Sequence, residues 1–139
     1  TPEVEEDENE AIEVVTPATY YLKNGKHYIV YEEVVEGTSG VIKNRIKING
    51  EECVEIVKSG LSNSHMIFEK NKKNQTFYKT PYGQMLIGVN TRHLQVDFEE
   101  DKIAVQIDYE LDVNHEPMAD CKIRMNIVSK DSGKFSVLS

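Results

Sequence analysis

The stretch LQVDFEEDKIAVQIDYEL, Leu94 to Leu111, decides the fold class, because apolar and polar residues alternate on both sides of a turn. Alternate side chains of a β-strand point to opposite faces of a sheet. Pairing across residues 99–102 aligns six apolar residues, with Leu94, Val96 and Phe98 opposite Ile107, Val105 and Ile103. The stretch therefore predicts an antiparallel hairpin with one face in a hydrophobic core.

The apolar face of this hairpin extends in both directions along the chain. Downstream, CKIRMNIV at 121–128 has the parity to pair with the second strand across a loop at 112–120. The residues that would meet are Tyr109, Ile107 and Val105 with Ile123, Met125 and Ile127. Upstream, the apolar residues of MLIGV at 85–89 fall mainly on odd positions, whereas those of LQVDF at 94–98 fall on even ones. The face must switch between Asn90 and His93, which predicts a β-bulge or a sharp bend.

Two Asn-Gly pairs predict further hairpins. Asn24-Gly25 suits a type I′ turn, because both residues tolerate positive φ. That turn aligns Leu22 with His27, Tyr20 with Ile29 and Ala18 with Tyr31. Asn49-Gly50 predicts an odd-length loop with a bulge, since that parity gathers the apolar residues Ile46, Ile48, Val54 and Ile56 on one side. The segments HMIFEK and QTFYKT, joined across 71–74, are predicted as a third pair.

These segments amount to about eight short strands joined by hairpins, and none has the 3.6-residue period of a helix. We expect an all-β domain with little or no helix, whose strongly curled sheet closes as a single antiparallel up-and-down barrel. A two-sheet sandwich also fits, and the alternation does not separate the two. The predicted organisation is an acidic N-terminal arm at 1–10, a β-barrel domain at 11–129 and a C-terminal tail at 130–139.

The chain contains an ordered set of short motifs, namely YYLKNGKHYIVYEE, IKI, SG, MIFE, TFYKTPYG followed by VNT, and IDYEL. This set resembles the YwiB-like family of uncharacterised bacterial proteins, and the resemblance covers roughly Ile12 to Ile127. The resemblance implies a calycin-like β-barrel, similar in shape to lipocalins and fatty-acid-binding proteins, with no established activity, cofactor or substrate. Lys58 stands where the family often has an arginine, which weakens a bidentate anion-binding role there.

Composition and charge limit the classes of partner. The chain of 139 residues fits one domain, and no apolar run approaches the ~20 residues of a membrane helix. No signal peptide opens it, so we expect a cytoplasmic protein without a membrane partner. Six acidic residues at 3–10 supply most of the net charge of −8, and eight basic against four acidic residues at 41–80 form only a weak basic face. Nucleic acid is therefore not an expected partner.

Cysteine and histidine spacing gives no sign of a metal or cofactor site. Cys53 and Cys121 lie 68 positions apart, and the four histidines have no ligand spacing. We expect free thiols rather than a disulfide framework, and neither a metal nor a cofactor.

The candidate ligand contacts in the interior are Tyr20, Tyr31, Glu33 and Tyr109. The parity of the tyrosines points inwards, where their hydroxyls either bond a ligand or fill the barrel and bond a buried water. Glu33 shares that parity: it is either a carboxylate of raised pKa, able to act as an acid or base, or a solvated residue at a strand end. No spacing of nucleophile, acid and base marks a catalytic site, so we predict no catalytic residue and no enzyme.

The sequence TPYG at 80–83 is predicted as a corner of the chain. Proline in the second place and glycine in the fourth match a type I turn, which the Thr80 hydroxyl can cap. The functional alternative makes Tyr82 an exposed aromatic residue on a binding rim.

Two functions from different classes follow. The first is a non-catalytic barrel that binds a small apolar or amphipathic molecule in its interior, by analogy with the fold. An interior without a cavity in the ~300 Å³ range would exclude this function. The second is a protein-interaction or regulatory scaffold, whose acidic arm and basic middle dock partners by charge.

The beginning of the chain bears on closure of the barrel. Only TPEV precedes the acidic run, too short for a usual strand, so AIEVV at 11–15 would have a partner on one side only. We expect roughly ten further residues in the native chain. We also expect a barrel that is open at this seam, covered there by the KFSVLS tail, or closed by dimerisation. Direct pairing of residues 11–15 with 121–129 in a closed monomer would contradict this expectation.

Overall fold

The structure, a computed structural model, describes residues 3–7 and 10–130, with side chains at 13–79 and 81–130. In this part of the chain, regular structure consists of eleven strands and no α-helix, so no helix there is long and apolar enough to cross a membrane. The strands are β1 (Glu3–Asp7), β2 (Glu10–Ile12), β3 (Thr19–Lys23), β4 (Lys26–Val34), β5 (Val41–Asn49), β6 (Cys53–Gly60), β7 (Ser64–Glu69), β8 (Lys73–Thr80), β9 (Gly83–Glu99), β10 (Lys102–Val113) and β11 (Glu116–Val128).

The strands form two antiparallel sheets. One has the order β2-β1-β11-β10-β9-β8, and the other has the order β3-β4-β5-β6-β7. The all-β class is confirmed, but the described strands differ from a single closed barrel. No ladder among them joins β7 to β8 or β2 to β3, so the two sheets meet through side chains.

One hydrophobic core lies between the inner faces of the sheets. Because alternate residues of each strand face inwards, both sheets contribute to it. The five-stranded sheet supplies Ile29, Tyr31, Ile46, Ile48, Val54, Ile56 and Phe68. The six-stranded sheet supplies Val89, Leu94, Val96, Val105, Ile107, Ile123 and Met125. The four residues that were expected to share one side of the Asn49-Gly50 hairpin are all in this core.

The two Asn-Gly turns have the predicted parity. Asn24 and Gly25 both have positive φ, at 53° and 76°, and the pairs Tyr20 with Ile29 and Leu22 with His27 are in register. In the second hairpin Asn49 pairs with Cys53, which leaves a three-residue loop beginning at Gly50. Gly50 has a φ of 60°, so the odd-length loop depends on a residue that tolerates the left-handed conformation.

The last three strands form the predicted meander. Leu94, Val96 and Phe98 pair with Ile107, Val105 and Ile103 as expected. The face switch is also confirmed, since Asp108 pairs with His93 and Tyr109 with Thr91, so that Arg92 is the extra residue of a bulge. The register between β10 and β11 differs from the prediction by two residues, because Tyr109 pairs with Cys121. The predicted loop at 112–120 is a tight turn at Asn114 and His115, whose φ values are 49° and 71°.

The segments predicted as a third hairpin belong to different sheets. HMIFEK falls in β7 and QTFYKT in β8, and the connection between them carries the chain from one sheet to the other. Asn71 has a φ of 58° in this connection, and the Thr91 amide donates to the Lys72 carbonyl. Both segments are strands as predicted, but β7 pairs with β6 and β8 pairs with β9.

The acidic N-terminal segment contains a strand that the sequence did not predict. β1 lies within the acidic run and pairs with β11, with Val4 opposite Ile123. β2 pairs with β1, so residues 10–12 have no direct ladder to β11 in the described residues. The tail at 131–139, including KFSVLS, lies outside the described residues.

Candidate functional site

A cleft of about 970 Å³ lies between the two sheets. Strands β3, β4 and β5 form one wall, whereas β11 and the turn between β9 and β10 form the other. Residues of the segment at 13–18 also line it. Ligand pockets usually measure roughly 300–1,000 Å³, so the cleft is large enough for one small molecule.

The walls of the cleft are mainly apolar and aromatic. Their apolar side chains include Ile29, Ile46, Phe98, Ile103, Met125 and Ile127. At one end, the Tyr20 hydroxyl and His27 Nδ1 are hydrogen bonded at 2.7 Å, and the His27 ring lies 4.9 Å from the ring of Phe98. These contacts give the cleft an aromatic region in which the Tyr20 hydroxyl and His27 Nδ1 are already paired.

Charged residues also line the cleft, and several of them lie in the turn between β9 and β10. Acidic Glu13, Glu99, Glu100 and Asp101 line it together with basic Lys102, Arg124 and Lys130. Arg124 is already occupied, because its Nη2 donates to Asp108 at 2.8 Å and its Nη1 donates to two backbone carbonyls. Arg124 therefore does not offer a free fork of donors to an anion in the cleft.

A polar row crosses the inner face of the five-stranded sheet next to the cleft. Tyr31, Asn44 and Lys58 are cross-strand neighbours on β4, β5 and β6. The Glu33 carboxylate joins them, accepting from Asn44 Nδ2 at 2.7 Å and from Lys58 Nζ at 2.9 Å. We call these four residues the polar row. Tyr31 alone among them lines the cleft.

Two atoms of the polar row are buried without a hydrogen-bond partner, the Tyr31 hydroxyl and Asn44 Oδ1. Burial raises the pKa of Tyr31, and the negative charge of Glu33 raises it further. The phenol is therefore neutral at physiological pH. For Glu33, desolvation is outweighed by hydrogen bonds from Lys58 and Asn44, which together lower its pKa. The suggested acid or base of raised pKa is thus wrong: Glu33 is an ionised partner of Lys58.

No metal centre is evident in the part of the chain that the structure describes. Its His, Cys, Asp and Glu side chains form no group of three or more that could hold an ion. Cys53 and Cys121 are free and partly buried.

Comparison with known proteins identifies the family. The model of a domain of unknown function, DUF1934, matches residues 1–125. The chain belongs to the DUF1934 family. It is 31% identical over 114 residues to the uncharacterised beta-barrel protein YwiB of Bacillus subtilis (strain 168), covering 81% of this chain and 78% of that protein. The crystal structure of ywiB protein from Bacillus subtilis is similar, with a TM-score of 0.69 and 26% identity over 91% of this chain and 86% of that one.

The resemblance to YwiB-like proteins is thereby confirmed, and the candidate residues of this DUF1934 member fall in different places. Tyr20 and Tyr31 line the cleft. Tyr109 lies outside the lining of the cleft, with its ring centroid 4.8 Å from that of Phe68. Burial raises the pKa of Tyr109, and the interaction with the Cys121 thiol raises it further. Tyr82 is 99% exposed at the turn between β8 and β9, also away from the cleft. This turn has the predicted corner, whereas the Thr80 side chain lies outside the described residues.

Sequence reasoning missed Asn44, which is fully buried. A signal was available in VIKNRIKI, where Asn44 shares the parity of Ile46 and Ile48 and so is a polar residue on an apolar face. A buried polar side chain of this kind needs partners, and its Nδ2 has one in the Glu33 carboxylate on the neighbouring strand β4.

Proposed function

We propose that this protein binds one small apolar or amphipathic molecule in the cleft between its sheets, without catalysing a reaction. The two sheets then act as the opposite walls of a calycin-like barrel. The observation that carries the proposal is the cleft of about 970 Å³ with walls that are mainly aliphatic and aromatic. Apolar surface that faces water is unfavourable, so an apolar body of matching size gains free energy by entering.

Titration with the neutral fluorescent dye Nile red tests this function, together with native mass spectrometry of the purified protein. We expect saturable binding of one dye molecule. The variant Ile127→Trp replaces an aliphatic side chain of the cleft with a larger indole ring. It should weaken dye binding at least about tenfold, because the indole occupies space that the dye needs.

The matched control is Ile87→Trp on β9, a partly exposed position outside the lining of the cleft. It should bind the dye as the wild type does. Absence of saturable binding, or equal losses in both variants, would contradict a ligand site in the cleft.

A second candidate function is a protein-interaction or regulatory scaffold. The observation that favours this function is the exposure of Tyr20, Tyr21 and Leu22 on β3, an edge strand of the five-stranded sheet. An edge strand offers backbone donors and acceptors to a strand from another protein. Pull-downs from lysate at low and moderate salt test this function: a charge-docked partner is lost as salt rises, whereas a strand-paired partner persists.

We also propose a cytoplasmic location. The free thiols of Cys53 and Cys121 support it, because unpaired cysteines are usual in reducing compartments. Burial raises the pKa of Cys53, which protects that thiol from oxidation. Fractionation of cells that express a tagged protein checks the location.

A further inference from the structure

We propose that residues 13–18 form a strap that closes over the bound molecule, and that Val14 and Val15 are contacts to its apolar body. The inference rests on the proposed function and adds two residues that determine affinity for the ligand. It also assigns to the cleft one wall whose position depends on occupancy. We call residues 13–18 the strap.

The strap connects edge strands of the two sheets. It begins after β2, at one edge of the six-stranded sheet, and ends before β3, at one edge of the five-stranded sheet. The residues of the strap that line the cleft are Glu13, Val14, Val15, Thr16 and Ala18. The strap is therefore a part of the wall that belongs to neither sheet.

No ladder among the described strands includes the strap. The ladder of β2 with β1 reaches Ile12, and the ladder of β3 with β4 begins at Thr19. Pro17 contributes to this break, because proline has no amide hydrogen to donate to a neighbouring strand. The hydrogen bond that the structure shows within the strap is local, from the Thr16 hydroxyl to the Pro17 carbonyl at 3.3 Å. Segments with few such bonds and few buried contacts move more readily than the strands that they connect.

The two valines identify what the strap closes on. Val14 and Val15 are 44% and 55% exposed, although they border a cleft whose other walls are mainly aliphatic and aromatic. Apolar surface of this kind gains free energy when it is removed from water. A molecule with an apolar body offers the strap a surface to pack against, so the strap should move inwards and bury both side chains.

Hydrogen exchange followed by mass spectrometry tests the closure, without and with saturating Nile red. We expect the amides at 14–16 and 18 to exchange at least about threefold more slowly with the dye bound, because the strap then packs against it. Residues 35–40 are the control, since they also connect two strands but lie outside the lining of the cleft. Their exchange rates should not change.

The substitutions Val14→Thr and Val15→Thr, made together, test the apolar contact. Threonine has nearly the shape of valine and adds a hydroxyl, so the strap keeps its bulk and loses apolar surface. We expect dye binding to weaken about three- to tenfold, mainly through faster dissociation, because contacts that form after entry slow release. Val34→Thr alters a valine that is 80% exposed and outside the lining, and it should bind the dye as the wild type does.

The outcomes separate the two proposals. If Nile red does not bind the wild type, the proposed function fails and the strap has no occupant to close on. If the dye binds but the strap exchanges at the same rate with and without it, closure is overturned and the ligand-binding function stands. Unchanged affinity in the double variant has the same meaning. Equal slowing at residues 35–40 would also overturn closure, because it indicates that the dye stabilises the whole fold.

Discussion

Two lysine–carboxylate pairs flank the core, and each fixes a side chain that the surrounding strands could not fix alone. Lys58 contacts Glu33 at 2.9 Å in the polar row, and Lys73 contacts the buried Asp112 at 2.6 Å in the other sheet. A carboxylate removed from water needs such a partner. Individual residues therefore contribute to stability through their neighbours on adjacent strands.

The lowered pKa of Glu33 predicts a specific dependence of stability on pH. Because the folded pKa is below the unfolded one, the Glu33 interactions stabilise the fold above the unfolded pKa and are lost as pH falls through the folded pKa. Between about pH 6 and about pH 3, the melting temperature should fall less for Glu33→Gln than for the wild type. Thermal melts followed by circular dichroism measure this difference.

The exposed neighbour Glu32 provides the control for that experiment. Glu32→Gln should retain the pH dependence of the wild type. If the melting temperatures of Glu33→Gln and the wild type fall equally as the pH is lowered, Glu33 does not contribute to the pH dependence of stability.

Position 88 must be glycine because a Cβ atom there would overlap Asp112 Oδ1. The carboxylate cannot move away freely because it is buried and bonded to Lys73. Gly88→Ala should therefore lower the free energy of unfolding by about 2 kcal/mol, although alanine in a strand is normally better than glycine. Urea denaturation measures the change.

A double-mutant cycle isolates the cause. In an Asp112→Ala background, Gly88→Ala should be neutral or stabilising, because the overlapping atom is absent. An equal loss in both backgrounds would point to the backbone rather than to Asp112.

At the scale of elements, β9 is the longest strand, with 17 residues, and its two halves face the core with opposite parity. The bulge at Arg92 makes this possible, because one extra residue returns the following side chains to the inner face. Val89 and Leu94 are both buried as a result.

Deleting Arg92 should therefore be much more harmful than replacing it. The deletion reverses the faces of one half of β9, and we expect a loss of more than about 4 kcal/mol in the free energy of unfolding, or failure to fold. Arg92→Ala keeps the bulge and loses only an exposed pair with Glu110, at a cost below about 1 kcal/mol. Urea denaturation of both variants checks this, and similar losses would contradict it.

The elements also mark where sequence reasoning succeeds. Turn chemistry at Asn24-Gly25 and parity around Arg92 are local, so the sequence predicts both. The partner of QTFYKT is not local, because alternation defines the faces of a strand but not its neighbour. The turn at Asn114 and His115 was missed because neither residue is glycine and Pro117 suggests a loop. Pro117 is tolerated because it lies near the beginning of β11, away from Ile123 and Arg124, the residues of β11 that pair with β1.

The same limit applies to the candidate site. Parity directs Tyr31 towards the interior, and its place in the cleft follows from that. The cleft itself depends on the distance between two sheets, which no local pattern encodes. Tyr109 has the required parity as well, yet Phe68 of the opposite sheet covers it.

At the scale of the whole molecule, packing between side chains holds the sheets together. Phe68 on β7 is fully buried and meets Tyr109 on β10 edge to face, with the rings 61° apart. Aromatic pairs of this geometry stabilise beyond the area that they bury. This contact joins the five-stranded sheet to the six-stranded one.

Phe68→Ala should accordingly cost about 3–5 kcal/mol in the free energy of unfolding, through lost burial and the cavity that it leaves. Phe77→Ala is the matched control, because Phe77 on β8 is 67% exposed, and its cost should be within about 0.5 kcal/mol. Chemical denaturation compares the two. A small cost at Phe68 would mean that the sheets are held together elsewhere.

The absence of a backbone ladder between the described strands of the two sheets has a consequence for size selectivity. The chain passes from one sheet to the other at Lys70–Lys72, where the Lys72 carbonyl accepts from Thr91. A change in the spacing of the two sheets would leave every ladder among the described strands intact. The width of the cleft is then set by side-chain packing, so under the proposed function the affinity for a ligand should decline gradually as the ligand becomes larger instead of ending at a fixed size.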